Sequence, residues 1–172
     1  MQMEWLTHPF PPLYDKDSRI LILGSFPSVK SREQMFFYGH PQNRFWKVIA
    51  GVFEEKVPDA IEEKKRLILK HHLALWDVIA ECEIVGSSDA SIRNAKANDL
   101  SEILKNAPIE KILVNGKTAE KLYKKYIEPK TGISAQVMPS TSPANAAWKL
   151  DVLTETWGKE LKFTRSSPNS LK

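Results

Sequence analysis

The sequence predicts an α/β domain built on a mainly parallel, four-stranded sheet. Short apolar runs alternate with longer stretches whose apolar residues recur at helical spacing, the pattern of repeated strand and helix units. Polar segments punctuated by Gly and Pro follow those runs directly, where the loops of a parallel sheet gather. At 172 residues and 42% hydrophobic side chains, the chain fits one domain that buries roughly 70% of its unfolded surface. We expect that domain to span residues 1–163, with 164–172 a disordered tail rich in Ser, Pro and Asn.

Taken in order, Arg19 to Leu23 is the first strand. Arg44 to Phe53 carries apolar residues at 45, 46, 48, 49, 52 and 53, one buried helix face. Pro58 opens a charged helix to about Lys70, since proline in a first turn sacrifices no hydrogen bond. Leu73 to Trp76 reads as the second strand and Ser87 to Ala97 as a polar connection. Asn98 or Asp99 caps a helix running to about Asn106, and Lys111 to Val114 is the third strand. Gly116 starts the next helix, Ala135 to Met138 is the fourth strand, and Ala144 to about Lys162 is a final helix with Trp148, Leu150, Val152, Leu153 and Trp157 facing the sheet.

Charge and cysteine count narrow the function classes. The 25 Lys and Arg against 21 Asp and Glu give +4 and a pI near 9.1, compatible with a polyanionic partner. Cys82 is the only cysteine, so neither an internal disulfide nor a thiolate cluster is expected. No apolar run is long enough to span a bilayer, and Met1 to Tyr14 is broken by His8, Pro9, Pro11 and Pro12, unlike a signal segment. A cytoplasmic location follows as an expectation. His40, His71 and His72 lack ligand spacing, and no metal and no cofactor is expected.

Four polar loops end the four strands: Gly24-Ser25-Phe26-Pro27-Ser28, Asp77, Asn115-Gly116-Lys117, and Pro139-Ser140-Thr141-Ser142-Pro143-Ala144-Asn145. Between the first two lies Tyr38-Gly39-His40-Pro41-Gln42-Asn43-Arg44-Phe45-Trp46, which puts an aromatic face, an amide and a cation together, as a planar polar ring such as a nucleobase requires. G-x-x-P after a strand followed by H-P-x-N-R-F-W-K resembles the mismatch-specific uracil and thymine DNA glycosylases, and the chain looks like a member of the uracil-DNA glycosylase superfamily from roughly Ile20 to Leu161. The resemblance implies a three-layer α/β/α sandwich acting as a monomer on DNA that contains deaminated bases. Two departures refine it. Phe26 stands where the relatives' G-I-N-P-G supplies a water-positioning asparagine, and Ser140-Thr141-Ser142-Pro143 replaces H-P-S-P, removing the imidazole that stabilises a departing uracil. Those departures, with G-S-F-P-S and S-T-S-P-A-N, look like the hypoxanthine-DNA glycosylase branch, the sixth family. The absence of a cysteine quartet argues against the iron–sulfur branches.

Cleaving an N-glycosidic bond builds positive charge on the sugar and negative charge on the base, so groups must face both. Asn43 and Asn115 are the catalytic choices. Asn43 either orients water or contacts the cationic sugar through its carbonyl, or touches the base through its amide, and it also suits a helix cap; Asn115 ends an apolar strand and reads a base edge or makes a turn with Gly116. Tyr38 aligns with the relatives' base-stacking aromatic or is a buried tyrosine with a satisfied hydroxyl, and Phe26 either closes the other face of the pocket or is a core phenylalanine. Asp77 either accepts from N1–H of hypoxanthine, caps a helix, or pairs with Arg93. Ser142, Asn145 and the N–H groups of the last helix are placed to hold phosphate, with Ala144 where relatives insert a wedge, and Lys117 either contacts phosphate or is an ordinary surface lysine. Two other readings remain open: a mismatch-specific uracil or thymine glycosylase, and an inactive member that only binds damaged nucleic acid.

Overall fold

The computed structural model describes residues 2–166, with side chains as far as Lys162. Its centre is a parallel sheet in the order β3-β2-β6-β7, from β2 (Ile20–Gly24), β3 (Leu73–Asp77), β6 (Lys111–Asn115) and β7 (Gln136–Met138). Strand β2 pairs with β3 from Ile20 opposite Leu73 to Gly24 opposite Asp77, and with β6 from Ile20 opposite Lys111. Every residue of β2 is buried, as its unbroken apolar run requires of a central strand covered on both faces.

The two-residue period of β2 separates two cores. Ile20 and Ile22 pack with helices α2 (Phe45–Val52), α3 (Ile61–Lys70) and α7 (Leu150–Ser166), through Phe45, Ile49, Ile68, Leu153 and Trp157. Leu21 and Leu23 face the opposite layer, where α4 (Ser101–Asn106) and α5 (Lys117–Tyr126) contribute Ile103, Ala119 and Tyr123. Short helices α1 (Val29–Gln34) and α6 (Glu128–Thr131) complete the set. The three-layer sandwich expected from the resemblance is therefore present.

The second layer holds an addition the periodicity did not reveal, an antiparallel sheet of β1 (Glu4–Thr7), β4 (Ile79–Ile84) and β5 (Arg93–Ala97) in the order β1-β4-β5. Strand β4 continues β3 after Val78. Its buried residues Ile79, Cys82 and Ile84 are out of period two because the pairing with β5 slips at Glu81 and again at Glu83. Strand β5, Arg-Asn-Ala-Lys-Ala, is a charged edge inside what reads as a polar connection. Asn98 is not the helix cap: its Nδ2 ties the carbonyls of Asp77 and Ile79, while Asp99 Oδ1 accepts from Ser101 N–H.

Three boundaries also move. Helix α3 starts at Ile61, because Glu63 Oε1 takes the N–H groups of Asp59 and Ala60 and leaves Pro58 outside. The last helix starts at Leu150 and not at Ala144, since residues 143–149 form turns. It runs on to Ser166, so the expected tail is helical over 164–166, and its remaining residues 167–172 lie outside the described residues.

Candidate active site

The chain leaves β2 for β3 on one side and later crosses to β6 on the other, so the loops after β2 and β6 diverge above the sheet and open a crevice. That crevice is a cleft of about 1070 Å³ into which all four strand-end loops and the Tyr38–Asn43 segment project. It exceeds the ~300–1,000 Å³ usual for a small ligand. Every residue chosen from the sequence lines it: Phe26, Tyr38, Asn43, Asp77, Asn115, Lys117, Ser142, Ala144 and Asn145.

Asn43 and Asn115 are joined through Thr141, which is fully buried. The backbone N–H of Phe45 donates to Asn43 Oδ1 at 2.9 Å, and that of Thr141 donates to Asn115 Oδ1 at 3.1 Å. A backbone N–H only donates, so both carboxamide oxygens are fixed. Asn115 Nδ2 then donates to Thr141 Oγ1 at 3.1 Å, and the hydroxyl hydrogen is directed to Asn43 Oδ1 at 2.8 Å. Both lone pairs of Asn43 Oδ1 are thereby used, leaving Nδ2 for a ligand. Asn43 precedes the N-cap Arg44 and forms an Asx turn onto the first residue of α2 while lining the cleft. Thr141 belongs to a polar motif visible in the sequence, but only the fold shows that it stands between the two asparagines.

The fourth loop is held by Arg44. Its backbone N–H donates to Thr141 O at 3.0 Å, and its guanidinium donates to the carbonyls of Ser142 at 2.9 Å, Asn145 at 3.1 Å and Trp148. These carbonyls are turned onto a cation from another element, which is why helix does not begin at Ala144. The helix N-terminus expected at Ser142 to Asn145 is consequently absent, the last helix starting at Leu150. Instead, Ser142 Oγ accepts from Ala144 N–H and Asn145 Nδ2 donates to Ser140 O, so both side chains shape the turn. Ala144 and Lys117 are exposed at the rim. Gly116, at φ +97°, lets the end of β6 approach this loop: a Cβ there would lie 3.2 Å from Ser140 Cβ.

Tyr38 is placed by Ser31, whose Oγ accepts from Gly39 N–H at 2.8 Å. The Tyr38 ring stacks on Phe45 at a centroid distance of 4.0 Å, leaving only its opposite face for a base. No hydrogen bond of normal geometry reaches its buried hydroxyl, although the Asn115 amide is near enough to act on it. Burial and then the nearby Asp77 raise its pKa, with Asn115 opposing, so it is a neutral phenol. Phe26 is 7% exposed and packs edge-on to His8 while contributing to the cleft wall.

Asp77 does not pair with Arg93, whose guanidinium bonds the carbonyls of Ala90 and Ile92. Its Oδ2 lies 2.7 Å from His8 Nε2, and the two side chains are 7% and 3% exposed. Nothing in the sequence marked His8, which reads only as an interruption of the N-terminal segment. Asp89 was also missed: it lines the cleft and accepts from Ser25 Oγ at 2.8 Å. Burial holds its carboxyl above the ordinary range, Ser25 opposes the shift, and Asp77 adds to it. Among the described residues, no helix is long and apolar enough to cross a membrane.

Comparison with known proteins identifies the family. The model of the uracil DNA glycosylase superfamily matches residues 11–162. A protein of Methanosarcina acetivorans named hypoxanthine DNA glycosylase is 36% identical over 138 residues, 79% of this chain and 86% of that protein. Its namesake from Methanosarcina barkeri is 32% identical over 139 residues, again 79% and 86%. A solution NMR structure from Methanosarcina acetivorans, provisionally described as a uracil DNA glycosylase, superposes with a TM-score of 0.76 at 31% identity, covering 90% of this chain and 95% of that one.

Proposed function

The chain belongs to the uracil DNA glycosylase superfamily, and from that premise we propose that it is a DNA glycosylase that removes deaminated bases, chiefly hypoxanthine, from DNA. The observation that carries the mechanism is the Asn43–Thr141–Asn115 network at the mouth of β6. Water adds to C1′ of the flipped nucleotide, the glycosidic bond breaks, its electron pair leaves with the base, and the water's proton passes to the base or to solvent. Asn43 presents a fixed N–H group as that charge develops, and it pays no reorganisation cost because its oxygen is already committed. Asn115 supports it through Thr141 and offers its second Nδ2 hydrogen to the cleft.

Tyr38 and Phe26 bound the base, and Asp77 accepts at its edge. Hypoxanthine needs less help than adenine in leaving, since its lactam ring spreads the negative charge, which fits a pocket without the imidazole of H-P-S-P. Lys117, Ala144 and the Ser142–Asn145 turn form the rim that meets the DNA backbone. The protein acts as a cytoplasmic monomer on the genome and needs neither metal nor cofactor.

Single-turnover excision from duplexes carrying inosine, xanthine, uracil or T opposite G tests the reading. Hypoxanthine is expected to be released fastest. Release of uracil or thymine with hypoxanthine untouched would make this a mismatch glycosylase, and binding without release of any base would make it a recognition module.

A further inference from the structure

Asp77 lines the cleft outside the amide network, and His8, which does not line it, is buried against the Asp77 carboxylate from behind. Strand β1 carries the chain to His8, whose N–H donates to Ala80 O at 2.7 Å, so the ring arrives from the antiparallel layer and lies between Phe10 and Trp76, each with its ring centroid 4.5 Å away. Phe10 N–H donates to His8 Nδ1 at 3.5 Å, which leaves Nε2 to carry the hydrogen that points at Asp77 Oδ2. One carboxylate oxygen is therefore occupied. The other, Oδ1, lies at the floor beside Gly24: a Cβ on Gly24 would sit 2.6 Å from it and 3.2 Å from Tyr38 Oη. The absence of a side chain at Gly24 lets the end of β2 approach Asp77 Oδ1 and Tyr38 Oη closely, and the Tyr38 hydroxyl, near the Asn115 amide, is a buried polar group without a hydrogen bond of normal geometry.

We propose that His8 is the positioning residue that makes Asp77 an obligate hydrogen-bond acceptor at the base edge, so that the cleft selects bases whose pairing-edge ring nitrogen carries a hydrogen. The inference rests on the glycosylase reading and supplies its selectivity. Deamination has one chemical mark common to adenine and cytosine: the ring nitrogen beside the lost amine changes from acceptor to N–H donor, and the amine becomes a carbonyl. Asp77 Oδ1 meets that N–H. Against adenine or cytosine it meets a lone pair, and a buried carboxylate facing a lone pair is repelled and left unpaired. Guanine and thymine carry such an N–H already, so their rejection must come from the walls and not from Asp77.

His8 also determines what Asp77→Asn would do. With Nε2–H donating to the Oδ2 position, the asparagine must place its oxygen there and its NH₂ at the floor. The floor then becomes a donor, matched to adenine and mismatched to hypoxanthine.

The test compares wild type, His8→Leu, His8→Gln and Asp77→Asn for binding to single-stranded oligonucleotides that differ only in one inosine or one adenine, alongside single-turnover release of hypoxanthine and thermal melting. The inosine-over-adenine preference is expected to fall about 10- to 100-fold in His8→Leu, the worth of a hydrogen bond to a charged group, to recover in His8→Gln, which retains an N–H at the same reach, and to vanish or invert in Asp77→Asn. The preference ratio does not depend on the folded fraction, so a merely structural His8 would lower melting and total binding while leaving the ratio at its wild-type value; that result overturns the proposal. Wild type failing to release hypoxanthine at all would instead overturn the glycosylase reading beneath it.

Discussion

Thr141→Val removes one hydroxyl from the centre of the amide network and leaves its shape almost unchanged. Thr141 is completely buried, and its hydroxyl is the acceptor for Asn115 Nδ2 and the donor to Asn43 Oδ1. Valine preserves two other bonds, Thr141 N–H to Asn115 Oδ1 and Phe45 N–H to Asn43 Oδ1, so neither amide is released entirely. What remains unmet is one N–H of Asn115, a half-buried residue, and one lone pair of Asn43. An unmade buried hydrogen bond costs ~1–3 kcal/mol, and the partial exposure of Asn115 places the cost in the lower half, about 1–2 kcal/mol. At roughly 2–4 °C per kcal/mol for a chain of this size, Tm should fall by about 2–8 °C. Excision should fall further than that loss explains, by on the order of 10²-fold at saturating enzyme, because both amides lose their common orientation. Thr141→Ser keeps the hydroxyl and should hold the rate while losing about 1 kcal/mol for the methyl. Melting with single-turnover release from an inosine duplex reads both effects. Thr141→Val with wild-type Tm and wild-type rate would refute the network as the basis of the site.

Arg44→Lys retains the charge but cannot span the carbonyls of Ser142, Asn145 and Trp148; residues 142–149 should exchange amide hydrogens faster and duplex affinity should drop, while the cores stay protected. Hydrogen exchange read by mass spectrometry checks this, and unchanged protection of that loop would count against the clamp. Asn43→Ala and Asn115→Ala should each be severe, and the double variant should lose much less than the product of the two single losses, because the groups act as one unit. Independent, multiplicative losses in single-turnover rates would separate them. Affinity for undamaged duplex should fall with salt at about −0.9 per phosphate neutralised at the rim, whereas a flat salt response would point to a small-molecule enzyme.

The parts legible in the sequence are those whose signal is local. Ile20–Gly24 announces a doubly covered strand by apolar continuity, the face of Phe45–Val52 repeats at helical spacing, and the loops after the parallel strands converge because strand direction alone decides it. Strand β4 was hidden because two slips in its pairing destroy period two, and β5 because an edge strand of Arg, Asn and Lys has a loop's composition. Residues 144–149 read as helix until a cation from a distant element claims their carbonyls. The same division holds in the site. Asn43 and Asn115 stand out as polar residues at element ends, whereas His8 and Thr141 gain meaning only from partners at Asp77 and at the two asparagines, contacts of long range that no local pattern encodes.

The central claim is that Asn43, fixed through its oxygen, promotes loss of hypoxanthine from DNA. Its most direct measurement is the single-turnover yield of free hypoxanthine and matching abasic sites from an inosine duplex by wild type and by Asn43→Ala, with duplex affinity measured on the same preparations. The account predicts equal amounts of base and abasic site from wild type, a rate lower by roughly 10²-fold or more in the variant, and affinity nearly unchanged. A variant that retains over half of the wild-type rate would contradict it.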